Sequence, residues 1–270
     1  MMRKRNNIVV GLTTINNEML KISIPALAKL QQKFLLIVHN DNPMTTVSKR
    51  QIRKLGYCGD LQIINSTETL GELKARFEII KLAKTFKPEW IVFCNDDDLL
   101  IDLEIPEVSD DTFAIIQNAI VLHHNVGNLL KVMENSKDFD VDGENVTLLR
   151  PNIGVCGTPI RSKILFELAK ILPDIEDGMK KLEEKLDFYP PINSVMWNYV
   201  NTYAHHINKD YVPIYMDKIN YIKNALNNTR MKYGRLAFPA RNADDQYRRV
   251  VSKYNDLLKE ALSLAAAPRG

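Results

Sequence analysis

The feature that most constrains this chain is an alternation between Ile8 and Cys94. Ile8-Val9-Val10-Gly11-Leu12, Phe34-Leu35-Leu36-Ile37-Val38 and Trp90-Ile91-Val92-Phe93-Cys94 are unbroken apolar runs, and Leu61-Gln62-Ile63-Ile64 is a shorter fourth. Such brief runs, rich in β-branched and aromatic residues, predict strands buried on both faces. Between them the apolar residues fall at helical spacing. Leu20, Ile24, Leu27 and Leu30 mark a helix over Asn17–Gln32, Val47–Leu55 a second, and Leu73, Phe77 and Ile80 a third from Gly71 to Lys84, which Pro88 closes. Strands that alternate with helices predict a mostly parallel sheet with helices on both faces.

The rest of the chain is less regular. Thr112–Leu122 reads as a strand, Asp138–Leu149 as a hairpin turning at Asp142-Gly143, and Tyr211–Ile222 as a closing strand. Helices are expected over Ser162–Leu172, Glu176–Leu186 and Ser194–His206. A last one, Asp244–Ala267, carries an apolar stripe of Val251, Tyr254, Leu258 and Leu262 that should pack on the parent domain.

Composition excludes several classes. With 270 residues, 45% hydrophobic and 26% charged, the chain can bury a core without staples. A net charge of +3 gives no warrant for a nucleic-acid partner. Three scattered cysteines form neither a disulfide framework nor a zinc site, and the apolar stretch after Met1-Met2-Arg3-Lys4-Arg5 is too short for an export signal. No window approaches the roughly 20 apolar residues of a membrane span. A cytoplasmic protein is expected, with peripheral association at a membrane surface left open.

The chemistry concentrates at Asn95-Asp96-Asp97-Asp98, directly after the most apolar strand. In an open α/β sheet, ligands bind beyond the carboxyl ends of the strands. Three carboxylates placed there repel one another unless a cation joins them, and a hard divalent ion, Mg²⁺ or Mn²⁺, meets that need while keeping positions open for phosphates. The plainer alternative is a solvated turn in which Asp98 caps a following helix. Asp138-x-Asp140-x-Asp142-Gly143 begins like a calcium loop but has Leu149 where the closing glutamate belongs. Dinucleotide and P-loop fingerprints are absent after the first strand.

In order, these pieces resemble a family-2-type glycosyltransferase of the GT-A fold, a Rossmann-like nucleotide-diphospho-sugar transferase. The resembling residues are Thr14-Ile15-Asn16, with Thr13 where proline is usual; His39-Asn40-Asp41-Asn42, with Asp41 one place late; Gly71, Ala75 and Arg76, with Phe77 where asparagine is usual; and the strand into Asp96-Asp97-Asp98. The resemblance implies a GT-A α/β fold with a C-terminal helical extension. It divides the chain into a donor half over 1–105, an acceptor half over 106–230 and an extension over 231–270. It also implies transfer of a sugar from a nucleotide donor, a UDP-sugar by preference, to a glycan or lipid-linked acceptor in polysaccharide biosynthesis. Thr14, Asn16, Asp41, Gly71, Arg76, Asp96 and Asp97 would bind the donor, Arg76 facing its diphosphate. Asp96 and Asp98 would hold Mn²⁺ or Mg²⁺, with Asp98 as the direct ligand.

In the acceptor half the resemblance thins. The acid that serves the family as base stands a few residues before a tryptophan; ahead of Trp197 this chain has Asn193 and Ser194, neither of which can be a base. Asp177 and Asp187 are equal candidates, and a retaining mechanism needs neither. Gly154, Gly157 and Arg161 are candidates to line the acceptor pocket. Tyr221-Ile222-Lys223-Asn224 resembles the family's last strand, with Asn224 where a metal- or diphosphate-binding histidine sometimes stands. A non-catalytic nucleotide- or glycan-binding module on the same fold is the alternative reading.

Overall fold

A computed structural model describes residues 7–122, 146–152, 154–185, 192–224 and 244–266. The strands are β1 (Ile8–Thr14), β2 (Leu35–Asn40), β3 (Asp60–Asn65), β4 (Trp90–Asn95), β5 (Leu99–Leu100), β6 (Thr112–Leu122), β7 (Val146–Leu149), β8 (Ile160–Arg161) and β9 (Val212–Asn224). The helices are α1 (Leu20–Lys29), α2 (Lys49–Lys54), α3 (Glu72–Lys84), α4 (Ser162–Glu183), α5 (Ile192–Ile207) and α6 (Asp244–Ala266). One mixed sheet runs through the molecule in the order β3-β2-β1-β4-β8-β6-β9-β5, with β7 paired to β6.

The first four strands are parallel, as their alternation with helices predicts, and β2 and the interior of β4 are buried on both faces. The two-residue β8 then enters antiparallel to both β4 and β6, while β6 and β9 run parallel. Register puts Thr14 beside Asn40, Asn40 beside Asn65, and Thr13 beside Asn95. The apolar strands therefore all end in polar residues at one edge of the sheet, which is where the chain turns into its loops.

Two expected helices, Ser162–Leu172 and Glu176–Leu186, are one helix, α4, with Pro173 inside it. Proline removes one backbone donor and usually breaks a helix interior. Here Pro173 is exposed, so its ring meets solvent, while Leu172, Ile175 and Met179 keep one apolar face buried across it. Most of the expected hairpin lies outside the described residues; its last stretch is β7, antiparallel to β6. After the acidic turn the chain enters β5, not a helix, so Asp98 caps no helix. The stripe on α6 is buried, Tyr254 and Leu258 completely, and the helix packs on α4 and α5. Leu257 of α6 lies so near Gly178 of α4 that a methyl group there would come within 2.8 Å of it.

Candidate functional site

The acidic turn is held from two sides. On the β1 side, Thr14 donates its hydroxyl to Asp96 at 2.6 Å, and the Asn16 backbone N–H supports the same carboxylate. From the last strand, Tyr221 donates its hydroxyl to Asp98 at 2.8 Å and the Asn224 backbone N–H donates at 2.8 Å. Asn95 adds a bond to Asp98 from its own side-chain amide, and its backbone N–H donates to the Tyr221 hydroxyl. Asp96 and Asp98 are thereby buried, whereas Asp97 between them is partly exposed.

The electrostatics follow from this enclosure. Burial pushes the Asp96 carboxyl up to about 7, Thr14 pulls it the other way, and the nearby Asp98 adds to the rise. Two buried neighbouring carboxylates thus share a site where one gains by binding a proton. A divalent cation would relieve the same repulsion, and the donors on offer are the hard oxygens such an ion prefers. Among the described residues no group of three or more His, Cys, Asp or Glu side chains could hold a metal by itself. What the turn itself offers is one or two carboxylate oxygens, the number Mg²⁺ commonly takes from a protein when substrate phosphates complete its shell.

Beside the turn, Asp41 at the end of β2 accepts from the Leu70 and Gly71 amides at 2.8 and 2.9 Å. Burial raises its carboxyl while those amides oppose the rise. Asp41 thus clips the loop that starts α3 to the sheet, a structural duty the sequence does not announce. Gly71 takes φ +85°, a region that penalises side chains, and no atom lies within 4 Å of where its Cβ would stand. Backbone conformation, not packing, asks for glycine there. Asn16 spends its side-chain oxygen on the Glu18 amide as the cap of a short 3₁₀ turn, Asn17–Met19.

Arg76 departs from expectation. A phosphate-binding arginine should face the crevice, but this one is completely buried. Its guanidinium pairs with Glu72 one turn earlier, donates to Asn95 at 3.0 Å and to Asn193 at 2.7 Å, and lies over the Phe93 ring. In the structure Arg76 ties α3, the end of β4 and the first turn of α5 together. Glu72 at i−4 was the available sign, because that spacing puts the two charges on one helix face.

Asn193, at the place where a base was sought, accepts from Arg76 and from the Cys156 thiol at 3.0 Å. Burial pushes that thiol up to about 11, against the pull of Arg76, so it stays neutral. Asp177 is exposed on α4, beside Glu176, which is ion-paired to Lys74. Asp187 lies outside the described residues. Arg161 does not belong here: it pairs with Glu89 and lies over Trp90, at the opposite edge of the sheet. Gly157 serves the backbone, with φ +79° and the Tyr221 side chain 2.8 Å from a hypothetical Cβ. Gly154 does face the site, between Asn193 and Lys223.

Lys223 stands in the last strand beside the acidic turn. It follows Tyr221 by two positions, so both project from the same face of β9. Its ammonium donates to the Asn152 side-chain oxygen at 2.8 Å, and burial lowers its pKa while Cys156 and Asp98 pull it up.

No protein-family model matches the chain, and no curated protein matches it in sequence. Solved structures of similar course include S. aureus TarS residues 1–349 in complex with UDP-GlcNAc, 16% identical over 95% of this chain and 70% of that one, with a TM-score of 0.49. The mannosyltransferase PcManGT from Pyrobaculum calidifontis, in complex with GDP-Man and Mn²⁺, is 11% identical over 99% and 77%, with a TM-score of 0.47. The glycosyltransferase GlyE of Streptococcus pneumoniae TIGR4 is 11% identical over 97% and 64%, at 0.43. Against another TarS structure the match spans only 36% of that chain, and against a second structure of residues 1–349 it spans 60%.

Proposed function

We propose that this chain is a glycosyltransferase that takes a sugar from a nucleotide-diphosphate donor, by preference a UDP-sugar. The observation that carries this reading is the acidic turn Asp96–Asp98. It stands at the carboxyl ends of the sheet's parallel strands and is braced by Thr14 from β1 and by Tyr221 and Asn224 from β9. Paired buried carboxylates are costly to stability and fit a site that is completed by cation and substrate.

In this reading Asp98 and Asp96 hold Mn²⁺ or Mg²⁺. When bound, that ion supplies a Lewis acid that stabilises negative charge on a departing diphosphate. Asp97, half open to solvent, faces the donor with them, and residues 1–105 form the donor half. Thr14 and Tyr221 fix where the carboxylates point, and Arg76 fixes Asn95 at the entry to the turn. The acceptor half is 106–230 and 231–270 an extension. The acceptor is proposed to be a glycan or a lipid-linked glycan of polysaccharide biosynthesis, reached in the cytoplasm. Among the described residues no helix is long and apolar enough to cross a membrane. Asp177 and Asp187 remain the candidate bases.

One observation favours a second reading, a non-catalytic nucleotide- or glycan-binding module. Asn193 is an amide with its oxygen already bonded, and an amide cannot take a proton from an acceptor hydroxyl. A panel of nucleotide sugars with Mn²⁺ separates the two. Release of free nucleoside diphosphate from one donor is expected, and its loss in Asp98→Ala. Binding without release from any donor would favour the module.

A further inference from the structure

The first helices carry a charge imbalance that the donor site does not use. Between Asn17 and Gly56 stand seven lysines and arginines against two acids, and one of those acids, Asp41, is buried. β1-α1-β2 and β2-α2-β3 join adjacent parallel strands in the same direction, so right-handed crossovers put α1 and α2 on one face of the sheet. Between the two helices is a cavity of about 430 Å³, lined by Glu18 and Lys21 on one side and by Ser48, Arg50 and Lys54 on the other. Glu18 is paired with Lys21, and Arg53 is held by the Tyr57 carbonyl and ring. Lys49, Arg50 and Lys54 are exposed and make no ion pair among the described residues. Helix stability does not ask for them: a first turn favours acids, and α2 opens instead with Lys49 and Arg50. Beside this cluster Met44 is 88% exposed, more than any other large apolar side chain among the described residues. Its loop is held in place. The Met44 N–H donates to Asn42 Oδ1 at 3.0 Å, Asn40 donates to the Thr45 carbonyl at 2.7 Å, and Asn17, from the cavity wall, reaches the Thr46 carbonyl at 3.5 Å. An apolar tip is thus held outward next to unpaired cations, the pattern of a surface that rests on anionic lipid.

We propose that the α1/α2 face, with Met44 at its tip, is a docking surface for an anionic phospholipid bilayer. Lys49, Arg50 and Lys54 meet the lipid phosphates, the cavity admits a headgroup, and Met44 enters the headgroup layer. A soluble polyanion would satisfy the cations equally well but gives no place to Met44. The position of the face has a consequence. Asn17 and Met44 lie in the loops after β1 and β2, at the carboxyl ends of the parallel strands, where the acidic turn after β4 also stands. Docking through those loops sets the turn near the bilayer surface, within reach of a lipid-linked acceptor. That consequence, unlike the docking itself, rests on the function proposed above.

The test is co-sedimentation of the full chain with vesicles of phosphatidylcholine alone and of phosphatidylcholine mixed with phosphatidylglycerol, without nucleotide or metal. Wild type should bind the mixed vesicles, bind phosphatidylcholine at least about tenfold more weakly, and release as salt is raised. Arg50→Gln combined with Lys54→Gln should weaken binding about tenfold or more, at about fivefold for each cation near the surface. Lys180→Gln combined with Lys181→Gln removes the same charge from exposed positions on α4 and should change binding less than about twofold. Met44→Ser should weaken binding about threefold or more and keep the salt dependence of wild type. Equal binding to the two vesicles, equal losses in the α2 and α4 variants, or full binding by Met44→Ser would overturn this inference and leave the donor-site reading standing. So would a chain that binds inorganic polyphosphate but neither vesicle, which would give this face to a phosphate polymer. If the vesicle results hold while no nucleoside diphosphate binds, the donor-site reading falls and the docking surface stands.

Discussion

The parallel half of the sheet and the mixed half build the same crevice by different means. In the parallel half, β3-β2-β1-β4, polar residues sit at strand ends and bond mostly across no more than 30 positions: Asp41 to Leu70 and Gly71, Asn40 to Thr45 and Asn65. Thr14 reaches further, 82 positions to Asp96. In the mixed half, the decisive partners come from far along the chain. Tyr221 and Asn224 reach Asp98 across more than 120 positions, and Asn193 reaches Arg76 across 117. The parallel half thus forms a scaffold held mostly by shorter-range bonds. The mixed half finishes the site by long-range bonds, so its residues should be more sensitive to substitution in function than their positions suggest.

Breaking the bond between the halves should have the largest effect on folding. Arg76→Met leaves Glu72 without its cation and removes donors to Asn95 and Asn193, so a loss of about 3–5 kcal/mol is expected. Urea unfolding measures it; a loss below about 1 kcal/mol would show that the halves are joined by packing alone.

Tyr221→Phe isolates the β9 contribution. It removes the hydroxyl from Asp98 and leaves the Asn95 N–H without that acceptor, and about 1–3 kcal/mol of stability should go with it.

Asp96→Asn should act in the opposite direction. With its carboxyl raised to about 7 in the fold, Asp96 binds its proton more tightly there than in the unfolded chain. Stability without divalent cation must therefore fall as pH rises from about 4 to about 7, and stay lowered above that. In chelator at pH 8 the neutral variant should melt higher than wild type by about 2–4 °C for each 1 kcal/mol relieved. The difference should shrink at pH 5, and a variant that melts lower at both values would contradict the burial argument.

Asp177→Asn should leave the melting temperature within about 1 °C, since the side chain is exposed. Only turnover is informative there. If Asp177 and Asp187 variants both keep full activity, the base lies elsewhere or the reaction needs none.

The same division explains what was legible. The alternation of apolar runs and helical stripes gave β1 to β4 and α1 to α3 directly, because each element there carries its own period and each strand is followed by a helix or a short turn. Asp96 to Asp98 stood out because a wholly apolar strand runs straight into them. Pairing of β5 with β9 was not readable: two residues, Leu99 and Leu100, carry no period, and their partner lies beyond residue 200. Arg76 was found by spacing, but its burial was not legible, because spacing does not report which side of a helix is enclosed.

The most direct measurement is the affinity of UDP and GDP for wild type and Asp98→Ala, each with Mn²⁺ and with chelator. Binding by wild type that strengthens with Mn²⁺, and an Asp98→Ala variant that stays folded but loses this response, is the predicted result. A nucleoside diphosphate bound equally well in all four conditions, or in none, would contradict the acidic turn as the donor site.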